Sequence, residues 1–374
     1  MITRNRLKSW SVLFICLGWA APAFAAEVKT LEIGQAAPEF RLPGVDGKQH
    51  RLEDFADARL LVVVFTCNHC PTAQAYEQRI QQLADEYRGK GVALVAISPN
   101  DPLAVRLDEL GYTDLSDSLE EMKQRAKDQG FTFPYLYDGD RQEVSKAYGP
   151  VATPHVFIFD QDRRLRYTGR IDDSAKPENV TSRDARAAID ALLAGRAVPV
   201  AKTRTFGCSI KWSDKRESAR ESMRRWDQEQ ATLDTITPQE VKKLVANDSD
   251  KYRLINVWAT WCGPCVAEFP ELVTMHRMYR KRDFELITIS ADALENRSKV
   301  EKFLNEQHAS CKNYLFNGKN EYELVESLDP KWQGALPYTL LIAPGGKILY
   351  RKQDAFDARE LKKAISDHLG RVYK

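Results

Sequence analysis

The chain has 374 residues, of which 43% are hydrophobic and 29% are charged, and its formal net charge is +2. These values are ordinary for a globular protein, and the length is sufficient for two or three domains. A charge this close to zero gives no indication of a nucleic-acid partner.

Residues 1–25 have the pattern of a cleaved export signal. A basic start is followed by an apolar run and by small residues at Ala23 and Ala25. We therefore expect an exported protein, located in the periplasm, from which Cys16 is removed with the signal. The alternative is an uncleaved signal that anchors the chain to a membrane. No later segment is apolar enough to span a bilayer, so that an anchor would have to be this signal.

The first half of the remaining chain begins with the order strand, helix, strand. LLVVVF, residues 60–65, predicts a buried strand, CNHCPTAQAYEQRIQQLADEYRGKG predicts a helix, and VALVAISPND predicts a second buried strand. A helix in SLEEMKQRAKDQG and a hairpin in ATPHVFIFDQDRRLRYTGR follow, with the turn at residues 161–163. An amphipathic helix at 183–193 closes this half.

The second half repeats this order after a segment dense in both charge signs. Residues 213–231 predict a solvated helix or a semi-rigid linker. RLINVWAT, CGPCVAEFPELVTMHRMYRKR and FELITISAD then predict strand, helix and strand. A helix in ENRSKVEKFLNEQHA, a hairpin turning at Gly345 and Gly346, and a helix at 358–369 complete the pattern. Two βαβ units with short loops predict two α/β domains in tandem.

Four of the six cysteines beyond the signal form two C-x-x-C pairs, Cys67 with Cys70 and Cys262 with Cys265. A structural disulfide framework is the simplest interpretation for an exported chain. However, a gap of two residues closes too small a loop to stabilise a chain of this length. The spacing therefore favours redox chemistry.

A sulfur at a helix N-terminus faces unpaired backbone N–H groups and the positive end of the helix dipole, which favour its thiolate. If each helix begins at its first cysteine, Cys67 and Cys262 are the attacking sulfurs. Cys70 and Cys265, one turn later, would resolve the mixed disulfide.

The motifs resemble those of the thioredoxin superfamily. NVWATWCGPCVAEFPEL is similar to the exported thiol reductases of the cytochrome c maturation type, and FTCNHCP, ATPHVFIFD and GCSIKW resemble the peroxiredoxin-like branch. The resemblance implies two thioredoxin-like domains, at 28–212 and 232–374, each a central mixed sheet flanked by helices. It further implies a thiol-disulfide oxidoreductase that acts on protein thiols and disulfides, and it makes Trp261, beside Cys262, a candidate for substrate contact.

Two residues are candidates for assisting disulfide exchange, by moving protons or by stabilising a thiolate. Glu268 resembles the acidic residue that moves protons in the reductase family, although a solvated helix glutamate is the alternative. His69, beside Cys70, resembles the histidine of strong oxidants, and its positive charge would stabilise the Cys67 thiolate. We therefore expect the first pair to be the more oxidising of the two.

The resemblance also implies that Pro154 and Pro337 follow cis peptide bonds opposite the two dithiols, where the backbone pairs with an extended peptide. Thr153 and Leu336, which precede these prolines, should then contact the substrate. Ordinary trans turn prolines are the alternative.

Other functions stay open at this point. A thiol-dependent peroxidase or antioxidant protein is one alternative. The active-site signature of peroxiredoxins is absent around Thr66 and Cys67, although Arg170 could stabilise a bound peroxide. Cys67, His69 and Cys70 could bind Cu(I) as a metallochaperone, whereas a zinc site would need a fourth ligand. We expect no resident metal or cofactor, and haem attachment is excluded because neither C-x-x-C precedes a histidine.

Cys208 and Cys311 are the two remaining cysteines. They could form an interdomain disulfide or remain buried free thiols, and Cys208 could be a third redox cysteine because it lies in GCSIKW. We expect an upstream thiol reductant or oxidant, in the membrane or the periplasm, to recharge the pairs. A relay of electrons between the two pairs is a further hypothesis.

Overall fold

The computed structural model describes residues 28–373. The predicted export signal, residues 1–25, lies outside the described residues. Between residues 28 and 373, no helix has both the length and the apolar character needed to cross a bilayer.

The first domain is built on a five-stranded mixed sheet. Its strand order is β5-β4-β3-β6-β7, in which β3, β4 and β5 are parallel and β6 and β7 are antiparallel to their neighbours. A separate two-stranded hairpin, β1-β2, precedes it. The strands are β1 (Arg41–Pro43), β2 (Gln49–Arg51), β3 (Leu60–Phe65), β4 (Val92–Ser98), β5 (Tyr135–Tyr137), β6 (His155–Phe159) and β7 (Leu165–Gly169), and the helices are α1 (Pro71–Tyr87), α2 (Leu119–Gln129), α3 (Glu143–Tyr148) and α4 (Asp184–Leu193).

The central strand β3 is buried along its whole length. Because successive side chains alternate between the faces of a strand, Val62 and Val64 pack with Ile80 of α1, whereas Val63 and Phe65 pack in the core on the opposite face. An apolar strand covered on both faces explains why LLVVVF has no polar residue.

The second domain has a six-stranded mixed sheet of order β13-β12-β9-β10-β11-β8. β8 to β11 pair in parallel, and β12 is antiparallel to both β9 and β13. The strands are β8 (Asp234–Ile236), β9 (Tyr252–Trp258), β10 (Phe284–Ser290), β11 (Lys312–Phe316), β12 (Tyr338–Ile342) and β13 (Ile348–Gln353), and the helices are α6 (Pro238–Ala246), α7 (Gly263–Tyr279), α8 (Arg297–Glu306), α9 (Glu321–Leu328) and α10 (Ala358–Leu369). The predicted class, two α/β domains with mixed sheets flanked by helices, is confirmed.

Both predicted hairpins are present. In the first, the backbone N–H of Asp160 donates to the carbonyl oxygen of Arg164, the N–H of Arg164 donates to the Asp160 side chain, and Arg163 has a positive φ of 56°. In the second, Gly345 and Gly346 have φ values of 79° and 81°, a conformation that favours glycine. The turn residues in the sequence therefore predicted the positions of both hairpin turns.

The charged segment between the sheets forms helix α5 (Arg216–Asp227). Arg216 pairs with Asp101 of the first domain, and Asp227 pairs with Arg277 of the second at 2.8 Å. Of the two forms expected for this segment, a solvated helix or a semi-rigid linker, the structure has a helix, and this helix contacts both domains. The predicted boundaries of 28–212 and 232–374 stay a prediction.

The two domains also share apolar contacts. Val105 and Leu110, from a loop of the first domain, lie in the hydrophobic cluster of the second. The guanidinium of Arg282, just beyond α7, lies 3.7 Å from the ring centre of Tyr112. The interface therefore includes the C-terminal end of α7, whereas Cys262 precedes its N-terminal end, about 25 Å along the helix.

Candidate active sites

The second-domain dithiol lies at the N-terminus of α7, as the sequence predicts. Cys262 is the N-cap residue, and its Sγ accepts a hydrogen bond of 3.3 Å from the backbone N–H of Cys265. The two cysteines form a disulfide and are almost fully buried. Once reduced, the Cys262 sulfur would face the unpaired N–H groups of the first helical turn.

The surface beside this disulfide is open. Trp261 precedes Cys262 and is 66% exposed. The Leu336–Pro337 peptide bond is cis, as predicted, and the register of β12 against β9 brings Pro337 level with Trp258 at the end of β9. Within residues 28–373, the backbone N–H and C=O of Leu336 have no hydrogen-bond partner. An extended peptide could therefore pair with this edge.

Glu268 lies one helical turn after Cys265 and is largely buried. Burial raises the pKa of its carboxyl group to about 7, although hydrogen bonds from Phe356 and Asn256 partly oppose this effect. The backbone N–H of Phe356 donates at 3.1 Å and the side-chain amide of Asn256 at 3.0 Å. A carboxyl group with this pKa can accept and return a proton near neutral pH.

Asn256 was not singled out by sequence reasoning. Its amide donates to both Glu268 Oε1 and Thr339 Oγ1, each at 3.0 Å, and so links the acid to the strand that begins after Pro337. The signal in the sequence was a buried polar residue in the middle of the apolar run RLINVWAT.

The first-domain dithiol has a different arrangement. Helix α1 begins at Pro71, so the N-cap residue is Cys70, whose Sγ accepts a 3.4 Å hydrogen bond from the backbone N–H of Ala73. The prediction that this helix begins at Cys67 is wrong. Proline is favoured at the first helical position, and here it directly follows the second cysteine. Cys67 and Cys70 are free thiols, 2% and 0% exposed respectively.

The two thiols differ in acidity in the direction opposite to the prediction. Burial raises the pKa of Cys67 well above its ordinary value, and its hydrogen bond with Cys70 and the charge of Asp117 add to this effect. Burial also opposes ionisation of Cys70, but hydrogen bonds from Cys208 and Cys67 and the charge of His69 lower its pKa well below the ordinary value. These effects favour the thiolate at Cys70 over Cys67, which is opposite to the direction expected from the sequence.

His69 forms a buried ion pair with Asp117. Its Nδ1 lies 2.5 Å from Asp117 Oδ2, which also accepts a hydrogen bond of 2.8 Å from Asn100. The backbone N–H groups of Asn68 and His69 donate to the other carboxylate oxygen. Although burial opposes the charge on His69, Asp117 raises the pKa of the imidazole. The positive charge expected on His69 therefore stabilises Cys70 rather than Cys67.

The cis-proline edge of the first domain is occupied by the chain itself. Thr153–Pro154 is cis, as predicted, and the backbone N–H of Thr153 donates a hydrogen bond of 3.0 Å to the carbonyl oxygen of Cys208. Thr153 Oγ1 lies 3.2 Å from the sulfur of Cys67. The proposed substrate-contact residue therefore lies between the dithiol and the GCSIKW segment.

The two remaining cysteines are not joined to each other. Cys208 is partly exposed and packs against Cys67 and Cys70 in the first domain. Cys311 is buried in the core of the second domain, where burial raises its pKa to about 12. Of the two alternatives left open by the sequence, free thiols are therefore observed.

Two features bear on the alternative functions of a peroxidase and a metal-binding protein. Arg170, considered for steadying a peroxide, pairs with Asp184 at 2.7 Å. A ligand atom from each of Cys67, His69 and Asp117 lies within 4.8 Å of the others, so that this group could hold a metal ion. However, His69 Nδ1 and Asp117 already bind each other, which leaves fewer free donors for a metal.

Each half of the chain matches a known protein family. The AhpC/TSA family matches residues 33–168, and the Redoxin family matches residues 230–366. A protein of Mycobacterium tuberculosis with the name Putative peroxiredoxin MT2597 is 30% identical over 145 residues, which are 38% of this chain and 80% of that protein. The chain belongs to the thioredoxin superfamily.

Further relatives of this thioredoxin-superfamily chain were found for each half. The thiol-disulfide oxidoreductase ResA of Oceanobacillus iheyensis is 30% identical over 114 residues, 30% of this chain, and the chain spans 55% of the length of that relative. The crystal structure of an uncharacterised conserved protein from Geobacillus kaustophilus is 44% identical, with a TM-score of 0.44, over 49% of this chain and 93% of that one. The predicted enzyme class, a thiol-disulfide oxidoreductase, agrees with the name of the first of these relatives.

Sequence reasoning about this superfamily member missed Asp117 and Asn100. Both lie in loops far along the chain from His69, and only the fold brings them together. Their residue types and neighbours in the sequence give no local signal of a buried ion pair.

Proposed function

We propose that this chain is an exported thiol-disulfide oxidoreductase that exchanges disulfides with protein substrates through Cys262 and Cys265. The observation that carries the proposal is the dithiol at the N-terminus of α7, beside the unpaired backbone of Leu336 and the exposed ring of Trp261. Such an edge suits an extended polypeptide with a disulfide, which would pair with the backbone of Leu336 while its sulfur faces Cys262.

The chemistry follows from these positions. In the reduced enzyme the Cys262 thiolate attacks one sulfur of the substrate disulfide, a mixed disulfide forms, and the other substrate sulfur leaves as a thiolate. Cys265 then attacks Cys262, which releases the second substrate thiol and forms the Cys262–Cys265 disulfide. The carboxylate of Glu268 takes the proton from Cys265 before this attack. The same steps in reverse oxidise a substrate dithiol.

Export to the periplasm is part of the proposal and is supported by the sequence of residues 1–25. An upstream thiol reductant or oxidant, in the membrane or the periplasm, would restore the dithiol after each cycle. The sequence supports no nucleic-acid partner and no resident cofactor for this chemistry.

The first domain is proposed as a second exchange site, in which Cys70 supplies the thiolate and Cys67 is its partner. A thiol-dependent peroxidase, with antioxidant activity, is the second candidate for this domain, and the match of residues 33–168 to the AhpC/TSA family favours it. The pairing of Arg170 with Asp184 does not support it, because that guanidinium is already engaged. Consumption of hydrogen peroxide by the reduced chain would distinguish these two functions.

Trapping tests the main proposal. Cys265→Ser leaves Cys262 unable to resolve its mixed disulfide, so the variant should accumulate disulfide-linked protein substrates that dithiothreitol releases. Cys311→Ser is the matched control, since it removes a buried thiol from the same domain, and it should trap nothing. Failure of Cys265→Ser to retain any partner under conditions that reduce Cys262 would refute the exchange function.

A further inference from the structure

The segment that carries Cys208 lies against the cis-proline edge of the first domain, in the position that an extended peptide substrate would take. Thr153 and Cys208 form an antiparallel bridge there. Gly207 makes the close approach feasible, because a Cβ atom at this residue would lie 2.0 Å from the carbonyl oxygen of Thr153. The edge that is free at Leu336 in the second domain is thus filled by the chain itself in the first.

This segment is fixed by several contacts. Ile210 is buried. The backbone N–H of Lys211 donates a hydrogen bond of 2.9 Å to the side-chain oxygen of Asn100, and its carbonyl oxygen accepts one of 2.9 Å from the N–H of Asp101. Asn100 also donates to Asp117, the partner of His69. The segment that carries Cys208 is therefore held by the same polar network, Asn100 and Asp117, that positions the His69 side chain next to Cys70.

The three thiols differ in access to solvent. Cys67 and Cys70 are almost completely buried, whereas Cys208 is partly exposed between the exposed residues Gly207 and Ser209. Cys208 also packs directly against the cluster formed by Cys67, Cys70 and Ala73. A reactant outside the domain can therefore reach Cys208 more easily than either member of the C-x-x-C pair.

We propose that Cys208 is the third redox cysteine of the first domain, through which the buried Cys67–Cys70 pair exchanges its disulfide with thiols outside. The proposal rests on the exchange chemistry proposed for this domain. It assigns to residues 207–212 the role of a built-in substrate strand, and it makes this domain unsuited to binding a second extended peptide at the same edge.

The steps balance without a further oxidant. Starting from a Cys67–Cys70 disulfide, the sulfur of Cys208 attacks the sulfur of Cys70 as the Cys208 thiol gives up its proton to solvent, so that a Cys70–Cys208 bond forms while the electron pair of the broken bond leaves on Cys67, which takes up a proton. An external thiol then attacks the sulfur of Cys208 and releases Cys70 as its stabilised thiolate. A second external thiol resolves the mixed disulfide on Cys208, so two external thiols become one disulfide and the domain is reduced.

The test uses the full chain with Cys262→Ser and Cys265→Ser, which silence the second domain. The Cys67–Cys70 disulfide is formed, reduced glutathione is added, and the reaction is quenched with acid and mapped by mass spectrometry. We expect glutathione on Cys208, and we expect Cys208→Ser in this background to slow reduction by about tenfold or more. Cys311→Ser in the same background is the control and should react at the unaltered rate.

Glutathione captured on Cys67 or Cys70, or an unaltered rate in Cys208→Ser, would overturn the proposal. A second measurement does not depend on the folding of Cys208→Ser: in Cys67→Ser, mild oxidation should yield a Cys70–Cys208 disulfide, and its absence would also overturn the proposal. These results are independent of the trapping test on Cys265→Ser, because both second-domain cysteines are serine here.

Discussion

The side-chain amide of Asn256 donates a hydrogen bond of 3.0 Å to Oε1 of Glu268, inside the second domain and one helical turn from Cys265. Because burial raises the pKa of Glu268 to about 7, the carboxylate that accepts the proton of Cys265 becomes available only as the pH rises through neutrality. We expect the rate of disulfide exchange to rise across this range and Glu268→Gln to lower it by about tenfold to a hundredfold.

The measurement is the pH profile of the rate at which the protein reduces a protein disulfide. Glu271→Gln makes the same substitution three residues later on α7, where Glu271 pairs with Lys362 at 2.8 Å, and should keep the normal profile. A Glu268→Gln profile with the same midpoint and height would show that the carboxyl group takes no part in proton transfer.

The same raised pKa predicts how stability depends on pH. The folded protein with its disulfide intact holds a proton on Glu268 up to a pH of about 7, whereas the unfolded chain loses it near the ordinary value of 4.5. Stability is therefore full below this window and falls as the pH rises through it. Relative to wild type, Glu268→Gln should gain about 1 to 2 kcal/mol in free energy of unfolding between about pH 5 and pH 8, after allowance for partial solvent access. Urea unfolding at the two pH values measures this, and parallel behaviour of the two proteins would contradict it.

The second site was predictable because its parts are local. Cys262, Cys265 and Glu268 lie on two consecutive helical turns after an apolar strand, and the cap geometry depends only on neighbouring residues. The fold was predictable for a similar reason, since apolar strand runs and helical periodicity recur in both halves. The strands β1, β2, β5, β8 and β11 and the helices α3, α6 and α9 were not predicted, because these elements are only three to nine residues long and contain few repeats of the strand or helix period.

The first site was harder to predict because long-range contacts decide its chemistry. The spacing of Cys67 and Cys70 is identical to that of the second pair, but the helix begins at Pro71, so that its N-cap residue is Cys70 and not Cys67. Asp117 raises the pKa of Cys67 and Cys208 lowers that of Cys70, and both reach the site from distant loops. The expectation that the first pair is the more oxidising one stays a prediction.

The charge on His69 should control the acidity of Cys70. In His69→Asn the side-chain amide can still donate to Asp117, but the positive charge beside Cys70 is lost. We expect the pKa of Cys70 to rise and its alkylation near neutral pH to slow by about tenfold. The ultraviolet absorbance of the thiolate, followed against pH in the reduced chain, measures the shift. His308→Asn, at an exposed residue of the second domain, should leave the titration unchanged, and an equal midpoint in His69→Asn would contradict the ion-pair assignment.

The C-terminal residues of the second domain contact the first-domain thiols. The side chain of Tyr373 lies beside Cys208, its ring centre lies 5.0 Å from that of Tyr112, and Arg371 pairs with Asp114 at 2.5 Å. Deleting residues 371–374 should therefore expose Cys208 and raise its rate of alkylation roughly threefold or more. Mass spectrometry of the modified peptides separates Cys208 from the other thiols. An unchanged rate at Cys208 would show that these residues do not restrict access to it.

Trp261 should supply much of the affinity for protein substrates. Its ring is 66% exposed beside Cys262, and large aromatic side chains that become buried on binding often dominate the energy of an interface. We expect Trp261→Ala to raise KM for a protein disulfide by about fivefold to tenfold, with a much smaller effect on kcat, because the sulfur chemistry does not involve the ring. Tyr322→Ala removes an aromatic side chain that is 71% exposed on α9 of the same domain, and it should leave KM unchanged. Equal KM values for Trp261→Ala and wild type would place the substrate surface elsewhere, whereas a loss confined to kcat would assign the ring a role in the exchange step.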